Sequence, residues 1–129
     1  TNAHALNYLG YLYAERAINL DESIALVKRA LEIEPDNGYF VDSLGWAYFQ
    51  KGMVEEARAE LERAIIFVKD DPVIHDHLGD VYFKLELYQQ AGAAWEASLA
   101  IKPDAPQIQE KLERVRKLIE DANPAEQNP

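Results

Sequence analysis

The chain of 129 residues contains no cysteine, so it can build neither a disulfide framework nor a thiolate metal site. It has no apolar run of the roughly 18 residues that a membrane-spanning helix needs. Basic residues are scarce, with 13 Lys and Arg against 23 Asp and Glu and a formal net charge of −10 at pH 7. Nucleic acids and anionic lipid surfaces attract the opposite sign. No nucleic-acid partner and no direct membrane insertion are therefore expected. A nucleophile elbow, a phosphate loop and an HExxH pair are all missing. The chain is accordingly not expected to be an enzyme, and no catalytic residue and no cofactor is assigned. No charged-then-apolar leader opens the sequence at Thr1, and the chain reads as a segment of a longer protein. The lack of cysteine fits cytoplasm and periplasm equally.

What is present begins with composition: 48% hydrophobic and 28% charged residues, enough for one domain with a real core. The most informative feature is a phrase written three times: Leu9-Gly10-Tyr11-Leu12-Tyr13, Leu44-Gly45-Trp46-Ala47-Tyr48 and Leu78-Gly79-Asp80-Val81-Tyr82. Its glycines stand 35 and then 34 residues apart. A fixed period of this length implies stacked supersecondary units.

Apolar residues recur at helical spacing throughout. Residues 3 to 17 are expected to be helical through Leu6, Leu9, Tyr13 and Ala17. Asn19 is read as a left-handed terminator and Asp21 as the N-cap of a second helix that runs to Glu34 before Pro35. Asp36 or Asn37 caps the next helix, which Gly52 closes. The return helix is lined by Ala57, Leu61, Ala64, Ile65 and Val68. Asp71-Pro72 is an N-cap followed by proline at the first helical position. The third hairpin carries His75, Leu78, Gly79, Tyr82, Ala91, Trp95, Ser98 and Leu99, with Glu86 at its internal turn where the second hairpin has glycine. Residues 105 to 121 form a last helix with Ile108, Leu112, Val115 and Ile119 on one stripe and Glu110, Lys111, Arg114 and Lys117 on the other side. Such a helix closes a stack. Residues 122 to 129 lack an apolar pattern and are expected to be a disordered tail.

The small residues have a packing reason. Gly45 with Ala57, Gly79 with Ala91 and Gly10 with Ser23 would sit where two helices approach most closely. Tyr13, Tyr48 and Tyr82 fill the space beside each crossing, and Ala30, Ala64 and Ser98 form a third small position.

On these residues the chain resembles the tetratricopeptide repeat, whose pattern is W-x2-L-G-x2-Y, then A-x3-F, then P. The middle copy supplies Val41, Leu44, Gly45, Tyr48, Ala57 and Leu61. The third supplies His75, Leu78, Gly79, Tyr82, Ala91, Trp95 and Pro103. The first supplies Leu6, Leu9, Gly10, Tyr13, Ser23, Val27 and Pro35, with Ser23 in place of alanine and one extra residue between its helices. Lys69 stands at the middle copy's proline position. The resemblance implies an all-α fold: a right-handed α-solenoid of three helical hairpins, at about 3–36, 37–71 and 72–104, with a capping helix at 105–121. The stretch from Asn7 to Gly52 also resembles the last repeats of Gram-negative envelope scaffold proteins, which favours a periplasmic or envelope-associated location over a cytoplasmic one.

Proteins of this family expose the first helix of each hairpin along a concave groove, which implies a protein or peptide ligand. The helical wheel places Tyr39, Asp42, Trp46, Phe49 and Gln50 opposite the packing face of the middle repeat. The equivalents are Val73, Asp76, Asp80, Phe83 and Lys84 in the third repeat, and His4, Asn7, Tyr11, Ala14 and Glu15 in the first. The family's carboxylate clamp of Lys, Asn, Asn, Lys and Arg is absent, because those positions hold Asn7, Tyr11, Ser43, Val73 and His77. The implied ligand is an apolar segment carrying Lys or Arg, with Asp42, Asp76 and Asp80 meeting its basic groups and Tyr11 and Trp46 its apolar ones. Trp46 and Phe49 could equally fill a seam between repeats, and the aspartates could be a solvated acidic surface.

His75, Asp76, His77 and Asp80 cannot all converge on a metal, since adjacent helical residues diverge by about 100°. His75 is expected to point inward. No metal site is assigned. The first helix is apolar almost all round, with Tyr8 and Leu12 as a second stripe beyond Leu6, Leu9 and Tyr13. Two expectations follow: a further repeat before Thr1 in the intact protein, and self-association of this chain through Tyr8 and Leu12. The alternative function is therefore a structural module that forms homo-oligomers through its exposed repeat ends. If Gly45 lies at a helix crossing, Gly45→Leu should lower stability by about 2–4 kcal/mol, the upper end of overpacking costs. A thermal melt within a degree or two of wild type would place Gly45 elsewhere.

Overall fold

The computed structural model describes residues 2–122. Among them seven α-helices and no strands are found: α1 (Ala3–Arg16), α2 (Leu20–Ile33), α3 (Gly38–Gln50), α4 (Val54–Phe67), α5 (Pro72–Lys84), α6 (Tyr88–Ile101) and α7 (Pro106–Ala122). The fold is an all-α helical repeat. Ala122 ends α7, and the rest of the expected disordered tail lies outside the described residues. The helices fall into two compact units, one ending at Lys69 and the other beginning at Asp70.

In the first unit, α1 pairs with α2 and α3 with α4, while α3 also packs on both α1 and α2. Its core includes Ala3, Ala30 and Phe40, with Leu6 and Leu31 against them. In the second unit, α6 is the middle layer, packed on α5 and on α7. Ala91, Trp95, Leu112 and Val115 form its core, flanked by Tyr82, Phe83, Tyr88, Leu99 and Ile108. Leu112 and Val115 are thus the buried part of the apolar stripe of α7.

The helix pairs meet at their glycines. A Cβ on Gly45 would stand 2.7 Å from Leu61 Cγ, and one on Gly10 would stand 2.6 Å from Val27 Cγ2 and 3.0 Å from the Ser23 carbonyl oxygen. On Gly79 it would enter the indole ring of Trp95. Ser23 replaces alanine without loss, because its hydroxyl donates a 2.6 Å hydrogen bond to the carbonyl of Gly10 on the facing helix. Ser98 does the same to the carbonyl of Pro72, at 2.8 Å. A hydroxyl buried at a crossing needs such a partner.

Helix ends follow local chemistry. Asn37, rather than Asp36, caps α3 by accepting from the N–H groups of Tyr39 and Phe40. Asp71 caps α5 through the N–H of Val73, with Pro72 in the first turn. The first turn departs from expectation. Asn19 is left-handed (φ 46°) but occupies the N-cap position of α2 without a capping bond, and Asp21 lies inside the first turn of that helix. There Asp21 favours the positive end of the helix dipole and pairs with Lys51. Ala17 supplies the left-handed terminator instead (φ 53°). Gly52 (φ 88°) and Glu86 (φ 62°) hold the corresponding position in the next two hairpins. Glycine relieves the strain of that conformation; nothing in the structure explains the glutamate.

Gly92 contrasts with the crossing glycines. A Cβ there would meet Val115 at 3.5 Å and Leu112 at 3.9 Å, ordinary packing distances. Gly92→Ala should raise stability by about 0.5–1 kcal/mol, because alanine loses less conformational freedom in a helix. Gly79→Ala should lower it by more than about 1 kcal/mol through the clash with Trp95. Paired chemical-denaturation curves check both signs.

Candidate functional site

The residues proposed from the sequence divide between two faces, one on each unit. On the first unit, α1 carries Asn7 and Tyr11 and α3 carries Tyr39, Asp42, Trp46 and Phe49. The two helices are tied by a 3.0 Å hydrogen bond from Gln50 Nε2 to the carbonyl of Ala14. The Trp46 and Phe49 rings are stacked, with centroids 5.0 Å apart and planes 18° from parallel. Both rings are half-buried, as are Tyr11 and Asn7, while Tyr39 is 54% exposed. Asn7 Oδ1 is shielded from solvent and has no hydrogen-bond partner among the described residues. Asp42 is only 6% exposed, so it does not present a carboxylate to solvent. The wheel placed it on the outer side of α3, but a wheel cannot register what other elements cover.

On the second unit, Asp76 and Asp80 lie one turn apart on α5, and both are engaged by the chain itself. Lys111 of α7 donates to Asp76 Oδ1 at 3.0 Å and to Asp80 Oδ1 at 2.9 Å. Trp95 Nε1 donates to the same oxygen of Asp76 at 2.9 Å. The Lys111 ammonium also stands 5.8 Å from the centre of the Trp95 ring, within cation–π range. These aspartates were expected to meet a ligand's Lys or Arg; an intramolecular lysine takes that place. Beside them, Phe83 contacts Tyr88 and Trp95, and the Arg114 guanidinium lies 5.4 Å over its ring. Lys84 is exposed.

The positions of the absent clamp differ in environment. Ser43 is buried and donates to the Tyr39 carbonyl. His77 is also buried, whereas His75, expected to point inward, is half-buried. Val73 is exposed. No group of three or more His, Cys, Asp or Glu among the described residues is placed to hold a metal ion. None of the described helices is long and apolar enough to cross a membrane.

The polar side of α7 was read as a closing face and not as a site, yet an open depression of about 540 Å³ is lined there by Gln107, Glu110, Lys111 and Arg114. The signal was in the period. Carried one step of 34 beyond Val73, Asp76 and Asp80, it falls on Gln107, Glu110 and Arg114. A smaller hollow of about 140 Å³ lies among Pro72, Val73, Asp76, Lys102, Ala105 and Ile108.

The electrostatics of the triad are coupled. Burial pushes the Asp80 carboxyl above its usual 3.8, and neighbouring Asp76 adds to this; the hydrogen bond and charge of Lys111, and His77, oppose it. For Lys111, burial is the largest single influence and lowers the pKa. The pairing with Asp80 and Asp76 together outweighs it, leaving the ammonium above 10.5. A raised folded-state pKa contributes stability that is complete below the unfolded value and is lost as pH rises through the folded one. For Lys111 that loss falls above pH 10.5. For Asp80 it begins above pH 3.8, so at neutral pH its ionised form opposes folding and Lys111 offsets the effect.

Residues 45–86 match the family model for the TPR repeat. Over 56 residues, 43% of the chain, the sequence is 38% identical to a TPR repeat-containing protein of Pseudomonas aeruginosa, and the chain spans about a tenth of that relative's length. Among solved structures, the Sgt2 TPR domain from Aspergillus fumigatus superposes with a TM-score of 0.86 at 24% identity, covering 98% of this chain and 85% of that one. The first TPR of Spaghetti (RPAP3), bound to the HSP90 peptide SRMEEVD, superposes with a TM-score of 0.84 at 19% identity, covering 91% and 92%.

Lys111→Met tests the triad. Near neutral pH the variant should be less stable than wild type by about 1 kcal/mol, a modest value because the lysine is partly exposed. The gap should narrow as pH falls through the raised Asp80 pKa, which lies above 3.8, and above pH 10.5, where wild type loses its own Lys111 contribution. Melting temperatures across pH decide it; a pH-independent gap would mean that packing alone was lost.

Proposed function

We propose that this chain, which belongs to the tetratricopeptide repeat family, is a protein-interaction module that holds a peptide segment of a partner on the outer faces of its first helices. The reading takes residues 1–121 as the repeat domain, with hairpins at about 3–36, 37–71 and 72–104 and a closing helix at 105–121. It assigns no catalytic role.

The observation that carries it is the group of aromatic rings on the first unit: the half-buried Trp46–Phe49 stack and the exposed Tyr39 on α3, with the half-buried Tyr11 on α1. Aromatic rings give a ligand large rigid contact area at small entropic cost, and interface hot spots are enriched in Trp and Tyr. The HSP90 peptide bound by the RPAP3 domain has the sequence SRMEEVD. The clamp positions here are Asn7, Tyr11, Ser43, Val73 and His77, which offer no lysine or arginine to such an acidic end. The preferred ligand is instead an apolar or aromatic segment with basic residues. The charge of −10 draws a basic segment in at long range.

The test uses peptides selected from a displayed random library and then titrated calorimetrically. Trp46→Ala should weaken binding at least tenfold, about 1.4 kcal/mol, and Tyr39→Ala should weaken it too. Ile66→Ala, at an exposed position on α4, should leave affinity unchanged. Selected peptides that bind the folded Trp46 and Tyr39 variants as tightly as wild type would remove the aromatic face from the proposal.

A further inference from the structure

Two apolar features of the surface differ in what they specify. On α1 the stripe of Tyr8, 65% exposed, and the half-buried Leu12 lies open and offers no charged group to select an occupant. On the second unit, the hollow of about 140 Å³ has walls of mixed chemistry: Pro72, Val73 and Asp76 from the start of α5, Lys102 and Ala105 from the connector before α7, and Ile108 from the first turn of α7. These walls are held from behind. Ser98 of α6 donates to the Pro72 carbonyl at 2.8 Å, which fixes the start of α5. In the connector the Ala105 N–H donates to the Pro103 carbonyl at 3.0 Å, and the Gln109 side chain donates to the same carbonyl at 2.9 Å. A preformed recess spares a ligand the cost of ordering it.

Size and chemistry identify the occupant. The volume is close to the roughly 150 Å³ of an apolar cavity that takes up one benzene molecule. It is about half the roughly 300 Å³ at which small-molecule sites begin. The hollow therefore suits one side chain. Pro72, Val73, Ala105 and Ile108 make most of its lining apolar, and Val73 is 45% exposed, so that side chain is apolar too. Asp76 supplies the polar wall. Both of its intramolecular donors, Trp95 Nε1 and Lys111 Nζ, meet Oδ1, so Oδ2 keeps its acceptor capacity among the described residues. A wider neighbouring recess of about 380 Å³ shares Asp76 and adds Asp104 and Gln107. Around the two recesses Asp76, Asp80 and Asp104 stand against Lys102 and Lys111, which leaves one negative charge unmatched. A cation beside the apolar side chain meets that charge. We propose that this hollow is a peptide subsite that takes one aliphatic side chain of a partner, with an adjoining Lys or Arg donating to Asp76 Oδ2 and lying along Asp104. It is separate from the aromatic rings of the first unit and shares with that reading only the peptide nature of the ligand.

Titration of capped peptides into the isotope-labelled chain, followed by its amide NMR signals, tests this. The acetylated and amidated peptide Gly-Leu-Arg-Gly-Gly should shift signals within residues 73–76 and 102–108, with a dissociation constant on the order of 0.5–5 mM, the weakness expected of a single anchor. Replacing its leucine by alanine, or its arginine by glutamate, should weaken binding at least fivefold. Val73→Lys, at an exposed position, puts a cation on the apolar wall and should weaken the leucine–arginine peptide at least fivefold with unchanged helical circular dichroism. No shift at about 20 mM peptide would overturn the proposal, as would equal affinity for the three peptides or full affinity in folded Val73→Lys. Shifts confined to residues 39–50 would overturn it too, while leaving the aromatic rings of the first unit as the seat of the peptide.

Discussion

Everything else in this chain depends on how closely its paired helices approach. At Gly10, Gly45 and Gly79 one helix lies so near its partner that a single Cβ would strike Val27, Leu61 or Trp95. Where alanine could have served on the partner helix, Ser23 turns the short distance to use by donating to the Gly10 carbonyl across the crossing. Close approach also brings Trp95 beneath α5, where its indole N–H reaches Asp76. The crossing thus sets which side of each first helix is turned toward its partner helix and which is turned away.

The two units present their outer faces with different chemistry. The first offers stacked and half-exposed rings with little accessible charge, because Asp42 is buried. The second offers charge already matched within the chain: Asp76 and Asp80 share Lys111, and Arg114 lies over Phe83. Desolvating the Asp80 carboxylate is unfavourable, and a cation from α7 offsets part of that cost. The charged face of α7 therefore does more than meet solvent; its Lys111 completes the polar set of α5.

The repeat was legible because its cause is local. A glycine at a helix crossing, an Asx cap and a proline at a helix start each depend on a few neighbouring residues, and their recurrence at 34 or 35 residues leaves one architecture. The first turn was misjudged for a related reason. Asn19 and Asp21 both suit helix starts, and which serves depends on the extra residue in that hairpin and on Lys51, which claims Asp21 from 30 residues away. Glu86 was correctly assigned to the turn by register alone, since the period places it where Gly52 stands.

The candidate site was legible only in outline. A helical wheel identified Tyr39, Trp46 and Phe49 as outward from the packing seam, because side-chain direction follows from the 3.6-residue period of a single helix. It could not tell that Asp42 would be buried, nor that Asp76 and Asp80 would be taken by a lysine more than 30 residues later, because those outcomes depend on distances between helices. By itself the sequence determined the helices, the caps of α3 and α5, the repeat and the small residues at the crossings, all of which arise from short-range sterics and hydrogen bonding. Tertiary structure decided which carboxylates remain open, which are neutralised and which apolar edge stays bare, because burial and ion pairing are set by what a neighbouring helix brings within a few ångströms.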